Sequence, residues 1–148
     1  MPSTDPEAPA LRLPAELRRR LVAAARAGRP EEVCGALLGH ETGEGATVVD
    51  IVPLPNRAER PRDAYRVDPA DLEPLFRTAS VIGFYHSHPH GPADFSALDA
   101  AEALAGYWYV VIGDRAAAES ADGGAELFAW RDEAPARLVV DGRSPCPR

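Results

Sequence analysis

Two stretches, "EVCGALLGH" at 32–40 and "SVIGFYHSH" at 80–88, are apolar almost without a break. A strand wetted on one face alternates apolar and polar residues, and a strand buried on both faces does not. Such runs settle only in a sheet covered on both sides. "ATVVDIVPLP" (46–55) and "YWYVVIGD" (107–114) supply further strands, the first closed by Pro53 and Pro55. "AYRVD" (64–68) reads as a short alternating strand, and "ELFAWRD" (126–132) with "ARLVVDG" (136–142) as a terminal strand pair.

Three segments carry helical signals. "PAELRRRLVAAARAG" from Pro14 to Gly28 places Leu17, Leu21, Val22 and Ala25 on one stripe, with proline in the first turn and glycine at the end. "PADLEPLFRTA" (69–79) starts on Pro69 behind Asp68 as an N-cap, and Pro74 is expected to shorten or kink it. "SALDAAEALAG" (96–106) ends on Gly106. The order α, β, β, β, α, β, α, β, β, β predicts an α/β fold, a mixed sheet flanked by helices. The expected organisation is a flexible segment over 1–10, one domain over 11–142 and a tail over 143–148, "RSPCPR" among its residues.

Composition removes several function classes. The net charge is −7, and arginine supplies all 16 positive charges, spread along the chain. Such a surface is a poor match for nucleic acid, where phosphate neutralisation dominates affinity. The two cysteines, Cys34 and Cys146, form no close pair, which argues against a disulfide scaffold. No basic-then-apolar leader opens the chain and no apolar run is long enough to span a membrane, so a cytoplasmic protein is expected. Oligomeric state is not legible.

The chemistry concentrates in "HSHPHGPADFSALD" at 86–99. His86 and His88 lie two apart at a strand end and so project to the same side. Pro89, Gly91 and Pro92 turn the chain, which lets the next helix return Asp99 over the strand end. Two imidazole nitrogens and one carboxylate oxygen suit Zn²⁺, with a fourth position left for water. The spacing from Ser96 to Asp99 also matches a capping box, in which the pair simply starts a helix. His90, past the proline, reads as exposed, and His40 as a polar residue at a strand end.

A zinc site that activates water needs a carboxylate base outside the metal's own ligands. Glu31 and Glu32 are the candidates. Glu31 reads as a solvated junction residue, while Glu32 leads into a buried strand, where a carboxylate is costly without a partner. Spacing alone does not decide between them. Cys34 reads as a small core residue rather than a nucleophile.

These residues resemble the JAMM (MPN+) zinc metalloprotease family, in its small bacterial form. His86, Ser87, His88 and Pro89 match the family's H-x-H-P, and Ser96 and Asp99 fall at its S-x-x-D spacing. "PEEVCGALLG" is similar to the upstream P-x-E-x-C-G-x-L-x-G, which sets Glu32 on the family's glutamate. The resemblance implies a cytidine deaminase-like α/β architecture and Zn²⁺ held by His86, His88 and Asp99. It implies Glu32 as the base on the attacking water and Ser96 as a donor to the carbonyl oxygen as charge develops there. It also implies hydrolysis of the amide bond after the C-terminal Gly-Gly of a ubiquitin-like or sulfur-carrier protein. A Gly-Gly tail suits a narrow groove, and an extended tail can add to a sheet edge, which "NRAERPRDAYRVD" is expected to border. Relatives without the metal residues act as scaffolds, so a non-catalytic or latent binding module is the competing expectation. A deaminase would need H-x-E with P-C-x-x-C, which is absent. Phe95 stands where the family often has proline.

Overall fold

The computed structural model describes residues 3–114, 125–132 and 134–141. Most of "RAAAESADGGA", the tail and Cys146 lie outside the described residues. The elements are β1 (Ala10–Pro14), α1 (Ala15–Gly28), β2 (Cys34–Thr42), β3 (Gly45–Leu54), α2 (Pro69–Thr78), β4 (Val81–Ser87), α3 (Ala97–Glu102), β5 (Trp108–Asp114), β6 (Ala125–Arg131) and β7 (Ala134–Asp141).

The apolar strands behave as their composition demands. The sheet is mixed: β4 runs parallel to β5, and β1 parallel to both β3 and β7, while the remaining pairs are antiparallel. It closes on itself in the order β1-β3-β2-β4-β5-β6-β7. Each strand is thereby paired on both sides, β1 with β3 over Ala10–Arg12 and Gly45–Thr47 only. The closing strand is β1, which has no counterpart in the sequence reading because its five residues, "ALRLP", carry too little pattern to announce a strand. Its Leu11 and Leu13 are nonetheless fully buried.

The core gathers Leu11, Leu13, Leu37, Val48, Tyr85, Trp108 and Val110, and α1 adds the stripe Leu17, Leu21, Val22 and Ala25. Each fully buried leucine in that stripe contributes about 1.5–3 kcal/mol, which docks α1 and fixes where its C-terminal end delivers the chain. That end leads through residues 29–33, which belong to no helix or strand, into β2.

Three local expectations are corrected. Residues 64–68, "AYRVD", form no strand. Their backbone is taken instead by the corner at Asn56 and Arg57: the Arg66 N–H donates to Asn56 Oδ1, and the Arg66 carbonyl accepts from the Arg57 N–H. The helix expected over 96–106 stops at Glu102. Beyond it, Leu104 N–H donates to the Tyr109 hydroxyl at 2.7 Å, and Gly106 turns with φ 83°. That side-chain acceptor satisfies the backbone more locally than another helical turn would. Finally, α2 is not shortened at Pro74 and continues to Thr78, whose hydroxyl donates to the Pro74 carbonyl. Among the described residues, no helix is long and apolar enough to cross a membrane.

Candidate metal centre

The centre forms where the C-terminal end of β4 meets the start of α3. His86 is the penultimate residue of β4 and is fully buried; Ser87 follows, and His88 lies just past the strand. The next residues are pinned on both flanks. His88 N–H donates to Ile112 O on β5, Asp114 N–H to Gly91 O, and Ala93 N–H to the Glu126 carboxylate on β6. A Cβ at Gly113 would come within 2.1 Å of the Ala93 nitrogen, so this close seating of the turn on β5 requires glycine there. Phe95 anchors the loop: its ring stacks on Trp130, centroids 5.6 Å apart, and tilts against Tyr109.

The turn then presents α3. Ser96 and Asp99 form a capping box, with Asp99 N–H donating to Ser96 Oγ at 3.0 Å and Ser96 N–H to Asp99 Oδ2 at 2.9 Å. The capping reading and the ligand reading are therefore compatible. The same Oδ2 lies 3.1 Å from His86 Nε2 and 3.3 Å from His88 Nε2, and the two imidazole nitrogens are 3.2 Å apart.

That triangle bears on a metal directly. Hydrogen bonds along all three edges would need a proton on each, yet every corner is a lone-pair atom and an imidazole nitrogen carries at most one proton in the ring plane. Zinc–ligand bonds of about 2.0–2.1 Å in a tetrahedral arrangement separate ligand atoms by about 3.3 Å, the spacing found here. His88 Nδ1 contacts Pro92 O at 3.0 Å, and the carbonyl can only accept, so the proton sits on Nδ1 and Nε2 is left with its lone pair. The donor set thus fits a zinc ion.

Glu32 completes the group. Its carboxylate forms a cluster with His86 and His88 in which one ligand atom from each lies within 4.8 Å of the others. Burial, offset in part by nearby His88, pushes the Glu32 carboxyl up to about 7. Burial of Asp99 is outweighed by the close approach of the His86 and His88 imidazoles, which hold that carboxyl well below the usual range. Burial lowers the His86 pKa against the pull of Asp99. For His88 the balance reverses: contacts with Asp99 and the Pro92 carbonyl overcome burial and raise its pKa.

The structure thus brings Glu32, His86, His88 and Asp99 together. Ser96 lies on the exposed rim of the same cleft, an open space of about 400 Å³ that Arg62, Asp63 and His90 also border. His90 and His40 are exposed, His40 at the other end of β2. Cys34 is buried, its thiol pushed up to about 12 by burial, which makes it inert as a nucleophile.

Two contacts were not legible in the sequence. The Tyr65 ring stacks on His86 with centroids 4.3 Å apart and walls the centre off from an apolar groove of about 620 Å³ that includes Leu72, Phe76 and Phe84. Ser87, buried between the two histidines, exchanges two bonds with Val33: it accepts from Val33 N–H at 2.9 Å and donates its own N–H to Val33 O at 3.0 Å. This ties the residue after Glu32 to the histidine-bearing strand.

Comparison with known proteins agrees with this geometry. Residues 14–131 match the family described as prokaryotic homologs of the JAB domain. The chain is 35% identical over 111 residues to a desampylase of Haloferax volcanii, a match covering 68% of this chain and 78% of that protein. It is 38% identical over 68 residues to a Thermus thermophilus protein named as a probable TtuB-protein conjugate cleaving protease, covering 43% of this chain and 46% of the relative. A Desulfitobacterium hafniense protein of known solution structure shares the fold, with a TM-score of 0.70 at 22% identity, over 91% of this chain and 95% of its own. The chain belongs to the JAMM/MPN family, in its prokaryotic JAB branch.

Proposed function

We propose that this protein is a zinc-dependent peptidase or isopeptidase that hydrolyses the amide bond after the C-terminal Gly-Gly of a ubiquitin-like or sulfur-carrier protein. The observation that carries the reading is a single juxtaposition: three mutually close lone-pair atoms on His86, His88 and Asp99, with the Glu32 carboxylate beside them. The desampylase and the conjugate-cleaving protease among the relatives support the choice of reaction and of substrate class.

Bound by the three residues, zinc would polarise a water and bring its pKa to about 7. Glu32 accepts a proton from the attacking water and passes it to the departing amine. A carboxyl poised near neutrality suits both transfers, since it must take a proton and then give it up. Ser96 accepts from Asp99 N–H through its oxygen, so its own hydrogen is free to donate to the scissile carbonyl oxygen as negative charge builds. The capping bond thereby aims the donor. Asp99, the anionic ligand, is held in place by Ser96 N–H and by its own helix. Segment 64–68, tied to Asn56 and Arg57 through Ala64 and Arg66 and carrying Tyr65 against His86, borders the place where the tail would lie.

The test is a sulfur-carrier protein joined through its Gly-Gly tail to a reporter, incubated with zinc-loaded enzyme. Cleavage after the second glycine is expected, and an Ala-Ala tail should be cut far more slowly. Equal cleavage of both tails would contradict the Gly-Gly assignment, and no cleavage of either would contradict the peptidase.

A further inference from the structure

The side chain of Asn56 spends its whole hydrogen-bonding capacity on backbone around Glu32. Its Nδ2 donates to the Glu32 carbonyl at 2.9 Å and to the Ala64 carbonyl at 3.0 Å. Its Oδ1 accepts from Ala58 N–H at 3.0 Å and from Arg66 N–H at 3.1 Å. A carboxamide has two donor hydrogens and two acceptor sites, so each is filled, and only the nitrogen can serve two carbonyls, which fixes its orientation.

The groups so gripped are not arbitrary. Glu32 lies between α1 and β2, in a segment with no ladder or helix of its own. Its backbone is held on the loop side by its N–H donating to Pro61 O at 2.7 Å and by Asn56 at its carbonyl. On the strand side Ser87 holds the following residue, Val33. Ala64, the other carbonyl served, directly precedes Tyr65, whose ring covers His86. One half-buried side chain therefore folds the loop 56–66 and ties it to the base and to the wall of the metal centre.

We infer that Asn56 is a positioning residue for the reaction, holding Glu32 at its working place beside the histidines and seating Tyr65 on His86. It touches neither of those side chains and acts through backbone alone. The inference rests on the reading of Glu32 as the base. A catalytic group displaced by about 1 Å can cost 10²-fold in rate, so the grip is worth that order.

Asn56→Asp tests it most sharply. The shape and both acceptors are kept, both donations are lost, and an oxygen is set against two carbonyls. Asn56→Ala removes all four bonds without adding charge and stands in should the aspartate variant fold poorly. Amide exchange in the metal-free protein should quicken at Glu32 and Arg57 in either variant and stay unchanged at Ser87. With zinc and the Gly-Gly-linked reporter, kcat should fall by roughly 10- to 100-fold, with KM little changed and zinc content equal to wild type. Combined with Glu32→Gln, the Asn56 change should cost much less than it does alone, since residues acting through a shared group are not additive. Unchanged exchange, a loosened loop with unchanged kcat, or independent losses in the double variant would each overturn the assignment. If the wild-type enzyme cuts no Gly-Gly conjugate, the proposed reaction fails, and the exchange measurement still decides whether Asn56 clamps the loop.

Discussion

The β4–β5 strand pair gathers polar side chains at both of its ends, and the two clusters are built in opposite ways. At one end, where Trp108 opens β5, Glu41 accepts from the Trp108 indole at 3.2 Å and from Arg131 at 3.1 and 3.3 Å, while the guanidinium lies 4.6 Å from the centre of the Trp108 ring. Donors meet acceptors and positive meets negative, so this cluster is complete without a ligand. At the other end, His86, His88 and Asp99 offer each other lone pairs at nearly identical separations, with Glu32 adding a further acceptor. The first arrangement fastens the barrel, and the second has the donor set of a cation site. What separates structural from functional polar groups here is donor–acceptor balance rather than burial alone.

The comparison breaks most visibly at Glu32. Replacing Glu32 with Gln keeps size and packing but removes the proton acceptor, and cleavage should fall by about 10²–10⁴-fold in a reporter assay, with zinc still bound. Loss of zinc from this variant would make Glu32 a ligand instead. Ser96→Ala comes next. Losing the donor to the carbonyl should cost roughly 10² in kcat, and losing the cap about 1 kcal/mol in denaturant unfolding. A stability change with unaltered kcat would reduce Ser96 to its capping role.

A third effect is thermodynamic and sharpens the contrast in the metal-free protein. The folded state holds the Glu32 proton up to a pH of about 7, whereas the unfolded chain releases it near its ordinary value of 4.5. Between those values the native state binds more protons, so stability declines as pH rises through the interval. Glu32→Gln should flatten that decline. It should stabilise the metal-free protein at pH 8 by on the order of 2 kcal/mol and leave it unchanged at pH 4, as thermal melts can measure. The smallest effect is expected at the balanced cluster. With Glu41 48% and Arg131 24% exposed, Glu41→Gln should shift stability by only about 0–1 kcal/mol and leave zinc content and kcat alone.

How much of this was readable without coordinates follows from the range of each interaction. His86 and His88 were legible because strand periodicity alone puts residues two apart on one side. Asp99 followed from a short turn and a fixed spacing. Glu32 lies far upstream in the chain; its lead into a buried strand set it apart from Glu31, which the structure leaves exposed, and only the similarity to a known motif gave it the role of base. β1 was missed because its partners, β3 and β7, lie far along the chain and its own pattern is brief. Tyr65 was assigned to a strand on the strength of alternation in "AYRVD", a pattern that a loop folded on Asn56 reproduces without any ladder. An asparagine after "PLP" signals a turn in any sequence, but nothing local says that its amide will reach Glu32.

The measurement closest to the heart of the account is the zinc content of the purified chain after reconstitution and desalting, compared between wild type and Asp99→Ala. One ion per wild-type chain and none in the variant is the predicted outcome, because the imidazole pair alone lacks the anionic third ligand. A wild-type protein that retains no metal, or a variant that keeps a full equivalent, would mean that the triangle at the end of β4 is not a metal site, and the catalytic role of Glu32 would fall with it.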